Sequence, residues 1–171
     1  MNQHITTAYY DRDVNTIEGL YTVQTVDRLT GQIIKKFSRL PARSGQRGHT
    51  HSSWERGKSP IPFTFNRFFY LWIGHPKGRG LPERDPKEIG RSYPISSDLT
   101  QKTRIHHPDN PNVFREFIEL HFDQRLRKPG SIGCPVLVQD TDYQRGQALE
   151  LFDYLDWLAK QGTEYIRQVV L

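Results

Sequence analysis

The chain of 171 residues contains a single cysteine, Cys134. A lone thiol excludes an internal disulfide framework and a zinc site built from several cysteines. No apolar run approaches the roughly 20 residues that a membrane-spanning helix needs. Residues 1–6 have neither a basic region nor an apolar stretch, so we expect no secretory signal. Internal repeats and low-complexity tracts are also missing, and the length suits one compact domain.

The composition offers a core, many turn residues and an excess of positive charge. Apolar residues make up 35% of the chain and charged residues 25%, which is too apolar for a chain that is disordered throughout. The 13 glycines and 11 prolines favour a fold rich in loops or strands over a helical bundle. The 24 Lys and Arg outnumber the 19 Asp and Glu, and the net charge of +5 points to an anionic partner such as nucleic acid, a lipid surface or an acidic polymer.

The first half of the chain predicts strands and loops. Residues 1–18 are polar and lack a clear period, and we interpret them as an N-terminal extension or edge segment. Residues 20–26 are rich in β-branched and aromatic side chains and predict a strand, which a turn joins to a return strand at 32–37. Residues 67–73 form the most apolar run and predict a central strand. Glycine, proline and charge punctuate 74–90, which predicts an exposed loop.

The second half predicts three more strands. Residues 116–122 alternate with a period of two, which indicates a strand that ends near His121. A tight turn is expected at 128–135, followed by a short strand at 136–138. A last strand is expected at 165–171.

One amphipathic helix is predicted between the last two of these strands. Thr141 or Asp142 can cap its N-terminus, and Gly162 stands where a helix ends. Apolar residues recur at helical spacing at Ala148, Leu151, Phe152, Leu155, Leu158 and Ala159. The sequence therefore predicts a mainly β domain with one helix near its C-terminus.

Cys134 is the first candidate for chemistry. It lies between Gly133 and Pro135 at the predicted turn, with small residues just before it. A nucleophilic thiol needs access, a nearby base, and backbone N–H groups that can hold an oxyanion. A buried cysteine that acts as a small hydrophobe is the simpler interpretation.

His121 is the candidate base. It ends the strand before the cysteine turn, and a hairpin-like return would bring its imidazole to the sulfur at an open groove. A thiol with a pKa of about 8.5 is mostly protonated at neutral pH, and a paired histidine favours the thiolate. A histidine at a strand end can also simply pack or face water. His106 and His107 are rival bases.

Four segments of the sequence resemble the L,D-transpeptidase (YkuD-like) catalytic domain. His121–Asp123 followed by Pro129–Cys134 resembles the histidine and Ser-x-Gly-Cys signature of that family. Ser44-Gly45 followed by the Pro-rich segment 54–62 resembles its run from Ser-Gly to a G-x-x-P-x-P segment. The resemblance covers roughly residues 18–171, and it implies a catalytic domain over 19–171 with an L,D-transpeptidase-like β-sandwich or barrel-like sheet.

The resemblance implies acyl transfer on peptidoglycan stem peptides. Cys134 would attack the carbonyl on the L-side of an L,D-peptide bond, form a thioester and expel the terminal D-amino acid. An amine of a neighbouring stem would then form a cross-link, or water would complete a carboxypeptidase or endopeptidase reaction. His121 matches the general base, Ser131 and Gly133 match the turn around the thiol, and N–H groups near Gly133 and Cys134 would hold the oxyanion. No cofactor or metal is implied, and the expected place of action is the bacterial cell wall, reached directly or by delivery from a phage.

The sequence departs from the family after the cysteine. The family usually has a β-branched residue and then Arg, whereas this chain has Pro135 and Val136. Proline carries no N–H and cannot donate to an oxyanion, and another cation would have to bind the substrate carboxylate. The candidates for that role are Arg104, Arg115, Arg125, Arg127 and Lys128.

Three other classes of function remain as alternatives. Charge and aromatic content would suit a nucleic-acid-binding protein, but no recognised nucleic-acid motif is found and we expect no nucleic-acid partner. His106, His121 and Cys134 could hold zinc in an amidase or peptidase, although no HExxH-type spacing supports this. An inactive wall-binding or phage structural domain on the same scaffold is the third.

Overall fold

The computed structural model describes residues 3–13, 16–46, 54, 59–74, 91–123 and 133–171. These residues form ten strands and one α-helix. The elements are β1 (His4–Arg12), β2 (Glu18–Asp27), β3 (Ile33–Arg43), β4 (Phe69–Trp72), β5 (Tyr93–Ser96), β6 (Arg104–His106), β7 (Phe114–Glu116), β8 (Glu119–Phe122), β9 (Val136–Leu137), α1 (Asp142–Lys160) and β10 (Tyr165–Val170).

Eight of the strands close into a barrel in the order β1-β10-β4-β5-β8-β9-β3-β2. The β1–β10 and β8–β9 pairs are parallel, and the other neighbours are antiparallel. Strands β6 and β7 form a separate two-stranded sheet. The prediction of a mainly β fold with one C-terminal helix is confirmed, and closure of the sheet makes it a barrel.

Strand β1 corrects the expectation of an extension or edge segment at residues 1–18. It has hydrogen-bonded neighbours on both sides, β2 and β10. Ala8 and Tyr10 point inward, but so do Thr6 and Arg12, and all four are buried. Alternate residues of β1 therefore face inward, as in any strand. Because half of these inward residues are polar, the sequence does not show the alternation of apolar and polar residues that predicts a strand.

The β2–β3 hairpin forms as predicted, with a longer return strand. The carboxylate of Asp27 accepts the amide N–H groups of Leu29 (2.8 Å) and Thr30 (2.9 Å), and Gly31 takes a φ of +71° that favours glycine. Strand β3 continues to Arg43, six residues beyond the predicted end. Its second half pairs with β2 and β9, and this brings the chain to the cysteine segment.

The apolar run at 67–73 forms β4, which is central because β10 and β5 flank it. The predicted strand at 116–122 is interrupted, since Phe117 has a φ of +57° and β8 begins only at Glu119. The predicted loop at 74–90 lies outside the described residues except for Gly74, and the predicted turn at 128–135 is described only from Gly133 onward.

The helix α1 begins and ends where the sequence predicts. Thr141 forms a capping box with Gln144, and Gly162 follows the last turn with a φ of +98°. The buried side chains of Leu151, Phe152 and Leu155 join the core of the barrel. Among the described residues, no helix is long and apolar enough to cross a membrane.

Candidate active site

Strands β8 and β9 bring the histidine and cysteine segments together. They pair in parallel, with His121 opposite Val136 and Phe122 opposite Leu137. The expected hairpin-like return is therefore wrong. Thirteen residues connect Phe122 to Val136. Parallel strands need a connection of about a dozen residues or more, whereas a tight hairpin uses about two.

Cys134 lies just before β9, opposite the first residue of β8. Continuing the β8–β9 register two residues back places Cys134 opposite Glu119, and the Glu119 N–H donates to its sulfur at 3.4 Å. His121 is then one diagonal step away across the strand pair. Diagonal neighbours in a sheet are roughly 7–8 Å apart, within the reach of long side chains.

The thiol lies beneath the surface. Cys134 is 4% exposed, its S–H donates to the Phe117 carbonyl at 3.6 Å, and its sulfur accepts the Glu119 N–H. The sulfur is thus held against the backbone at the break between β7 and β8. This differs from the open groove that we expected, since the sulfur contacts the Phe117 carbonyl and the Glu119 N–H and is almost fully buried.

The hydrogen bond of His121 to the backbone decides which ring nitrogen carries the proton in the neutral form. Its Nδ1 lies 2.6 Å from the Phe122 carbonyl oxygen. A carbonyl oxygen only accepts, so Nδ1 must donate, and in the neutral ring Nε2 is then the nitrogen that can accept a proton. The side chain is half-buried at the β8–β9 junction.

The Arg115 guanidinium lies beneath the cysteine turn. The side chain is 2% exposed, and it donates to the carbonyls of Ser59 (2.8 Å) and Pro60 (3.4 Å). Burial lowers the pKa of Arg115, and the negative charge of an ionised Cys134 acts to raise it. This position is interior, whereas the sequence analysis offers Arg115 as a candidate to bind a substrate carboxylate.

Gly133 makes the approach of this guanidinium possible. Its φ is +120°, and a Cβ at this position would collide with Arg115 Nη2 and lie 2.9 Å from the Ser59 carbonyl oxygen. Any larger residue would therefore push the turn away from the guanidinium.

Ser44 joins the cysteine turn to the Pro-rich segment, a role that the sequence pattern did not reveal. The buried Ser44 hydroxyl donates to the Gly133 carbonyl at 3.0 Å and accepts the Ile61 N–H at 2.9 Å. Gly45 (φ +77°) packs against Pro60 so closely that a Cβ would lie 2.6 Å from the proline nitrogen. Two segments distant in the sequence thus enclose the Gly133–Cys134 turn.

An ion-pair network fixes the other end of β8. Arg43 contacts the carboxylates of Asp123 (3.0 Å), Asp140 (3.0 Å) and Glu18 (3.1 Å). Burial alone would lower the pKa of Arg43, but its bonds to these three carboxylates outweigh burial and raise it. The Asp123 N–H also donates to the Leu137 carbonyl at 2.8 Å. The network ties β3, β8 and the start of α1 together next to His121.

The remaining candidates lie elsewhere or outside the described residues. Arg104 pairs with Glu116 at 2.8 Å on the β6–β7 sheet. On the same sheet, His106 contacts Gln101 and the Pro111 carbonyl. The His107 ring lies against Trp54 with 4.8 Å between centroids. The candidates outside the described residues are Arg125, Arg127, Lys128 and Ser131.

The zinc alternative required His106, His121 and Cys134 to converge. Within the part of the chain that the structure describes, no group of three or more His, Cys, Asp or Glu is arranged to hold a metal ion.

Comparison of the chain with protein-family models, curated proteins and solved structures finds no match.

Proposed function

We propose that the protein is a cysteine-dependent acyltransferase or peptidase that acts on peptidoglycan stem peptides, as an L,D-transpeptidase does. The observation that carries the proposal is the assembly around one thiol. Ser44, the Pro-rich segment and the Gly133–Cys134 turn meet there, and His121 lies on the adjoining strand. These are the segments on which the resemblance rests, and the substrate class comes from that resemblance.

The reaction would begin with proton transfer from the Cys134 thiol to Nε2 of His121. The thiolate then attacks the carbonyl carbon of the L,D-peptide bond, and a C–S bond forms as the C–N bond breaks. The imidazolium returns its proton to the leaving D-amino acid nitrogen. An amine or water next attacks the thioester carbonyl carbon and passes its proton to His121. The C–S bond breaks, and the imidazolium protonates the leaving thiolate, which regenerates the thiol.

Two neighbours favour the thiolate. The Glu119 N–H already donates to the sulfur. The Arg115 guanidinium interacts with the charge of an ionised Cys134, and since the attraction between two charges is mutual, it stabilises the thiolate as well. Arg115 is thus a positioning residue that holds the turn and supplies positive charge. Because the Arg115 side chain is buried, it is less suited to bind a substrate carboxylate.

Purified peptidoglycan digested with the protein tests the proposal. We expect loss of a terminal D-amino acid, a new cross-link or a cut cross-bridge, each identified by mass spectrometry of the products. Cys134→Ala should abolish every such product, whereas Ser38→Ala, an exposed change on β3, should not. Activity retained in Cys134→Ala, or absent from the wild-type protein, would overturn the proposal.

A wall-binding domain without catalysis is the second candidate. The burial of the thiol, 4% exposed, favours it, because a nucleophile must be reached by its substrate. This candidate predicts that peptidoglycan sediments the protein, that no product forms, and that Cys134→Ala sediments equally well.

A further inference from the structure

A groove lies at the other end of the barrel from Cys134. The groove has a volume of about 660 Å³ and is lined by the start of β1 and β10, the end of β2, the start of β3 and the last turns of α1. Its volume is within the range of about 300–1,000 Å³ that is usual for ligand sites. Strand β3 passes both sites. Its residue Lys35 lines the groove, and its residue Arg43 pairs with β9 beside the cysteine turn. At about 3.3 Å per residue along β3, the two sites are on the order of 25 Å apart.

The charge that lines this groove is positive. Arg28, Lys35 and Arg167 line it together with His4, and none of its described lining residues is a carboxylate. The nearby carboxylate of Asp27 is engaged by the amide groups of its own turn, which lower its pKa. Cations concentrated in a concave surface attract an anionic ligand.

Aromatic rings line the groove, and Trp157 is the most exposed of them. The rings of Tyr154 and Trp157 are stacked, with 15° between their planes and 5.7 Å between centroids. Trp157 is 51% exposed, and Tyr165 lines the same groove. Exposed flat rings next to cations suit a ligand that has planar or ring-shaped apolar faces as well as negative charge.

The floor of the groove is hydroxylated. The hydroxyl oxygens of Thr6 and Thr25 lie 2.8 Å apart, and the Thr25 hydroxyl lies 2.6 Å from that of Tyr154. Gln161 and Thr163 add an amide and another hydroxyl to the lining. An apolar peptide or an acyl chain would remove the Gln161 amide and the Thr163 hydroxyl from water and offer them no partner, so it suits this lining less well.

We propose that this groove binds an acidic polysaccharide. Sugar rings would stack on Trp157, their hydroxyls would bond to the threonine and glutamine side chains, and their carboxylates would be attracted to Arg28, Lys35 and Arg167. The groove does not include the thiol, so the proposal stands apart from the chemistry proposed for Cys134.

Calorimetry with a hexamer of galacturonic acid tests the proposal, with cellohexaose as a neutral control and single-stranded dT12 as a nucleic acid. The acidic hexamer should bind, and the neutral hexamer should bind at least about tenfold more weakly. Trp157→Ala should weaken binding about fivefold, and Lys35→Glu together with Arg28→Glu about tenfold or more. Tyr143→Ala and Arg145→Glu, exposed changes on the first turns of α1, are matched controls that should leave binding unchanged.

Three results would overturn the proposal. The first is no binding of the acidic hexamer, or equal binding of the neutral one. The second is tighter binding of dT12, which would indicate a nucleic-acid site. The third is an equal loss of affinity in the groove variants and in their matched controls. Circular dichroism of each variant shows whether a lost affinity reflects the groove or the fold.

Discussion

Replacement of Arg115 by methionine tests the environment of the thiol. Methionine is a flexible apolar residue that can fill the space but removes both the positive charge and the donors. The carbonyls of Ser59 and Pro60 lose their bonds to the guanidinium, of which the first is short at 2.8 Å and the second weak at 3.4 Å. A buried acceptor left without its donor costs about 1–3 kcal/mol. We expect a decrease of about 2 kcal/mol in the free energy of unfolding, because removal of a buried charge offsets part of the loss.

The same change should raise the pKa of the Cys134 thiol. Loss of an adjacent positive charge disfavours the thiolate by about 1 pKa unit or more, so alkylation at neutral pH should slow by about tenfold. Because the chain has a single cysteine, the pH dependence of iodoacetamide labelling reports on Cys134 alone. Urea unfolding of the same samples measures stability.

Arg104→Met is the matched control, since it removes a partly exposed arginine from the neighbouring β6 strand. It should leave the thiol pKa unchanged and cost little stability. A folded Arg115→Met protein with the thiol pKa of the wild type would refute the proposed influence of the guanidinium on the sulfur.

Three further substitutions test the supports of the site. Gly133→Ala combines a left-handed φ with a collision at the guanidinium, and urea unfolding should show a loss of about 2–4 kcal/mol. Ser44→Ala removes both hydrogen bonds of the hydroxyl and should lower the free energy of unfolding by about 1–3 kcal/mol. The exposed control Ser38→Ala should lower it little, and equal effects of the two changes would contradict the bridging role of Ser44. Arg43→Gln removes the ion pair between Arg43 and the buried Asp123 and should cost about 3 kcal/mol; a thermal unfolding midpoint equal to that of the wild type would contradict this expectation.

The elements with strong local signals were predicted well. The β2–β3 hairpin has a turn that Asp27 and Gly31 stabilise. The helix α1 has a capping residue, a regular apolar face and a glycine after its last turn. In each case the residues that decide the structure are neighbours in the sequence, so the pattern can be recognised without knowledge of the fold.

The missed elements depend on contacts between distant parts of the chain. Strand β1 is buried between β2 and β10 with Arg12 and Thr6 facing inward, and only the closed barrel shows why polar residues stand there. Strands β5, β6 and β7 have three or four residues each, too few for a period to be evident.

The sequence points to Cys134 and His121 as candidates, whose reaction stays a prediction, and it does not reveal the residues that support them. The cysteine and histidine were identified from residue type and position, and β8 and β9 bring their segments together. The bond from Ser44 to the Gly133 carbonyl spans 89 residues, and no local pattern encodes it. Arg115 is a candidate cation for a substrate carboxylate in the sequence, whereas in the structure it is buried and donates to the carbonyls of Ser59 and Pro60.

Intact-protein mass spectrometry can detect the proposed thioester at Cys134. The protein is mixed with a purified tetrapeptide-bearing muropeptide, quenched in acid within seconds and weighed. We expect an added mass equal to the muropeptide without its terminal D-amino acid, located at Cys134 and removed by hydroxylamine, as expected of a thioester. The His121→Ala protein should accumulate this adduct more slowly. A wild-type protein that turns over the muropeptide with no adduct on Cys134, or that remains unmodified and inactive, would contradict the role of Cys134 as the nucleophile.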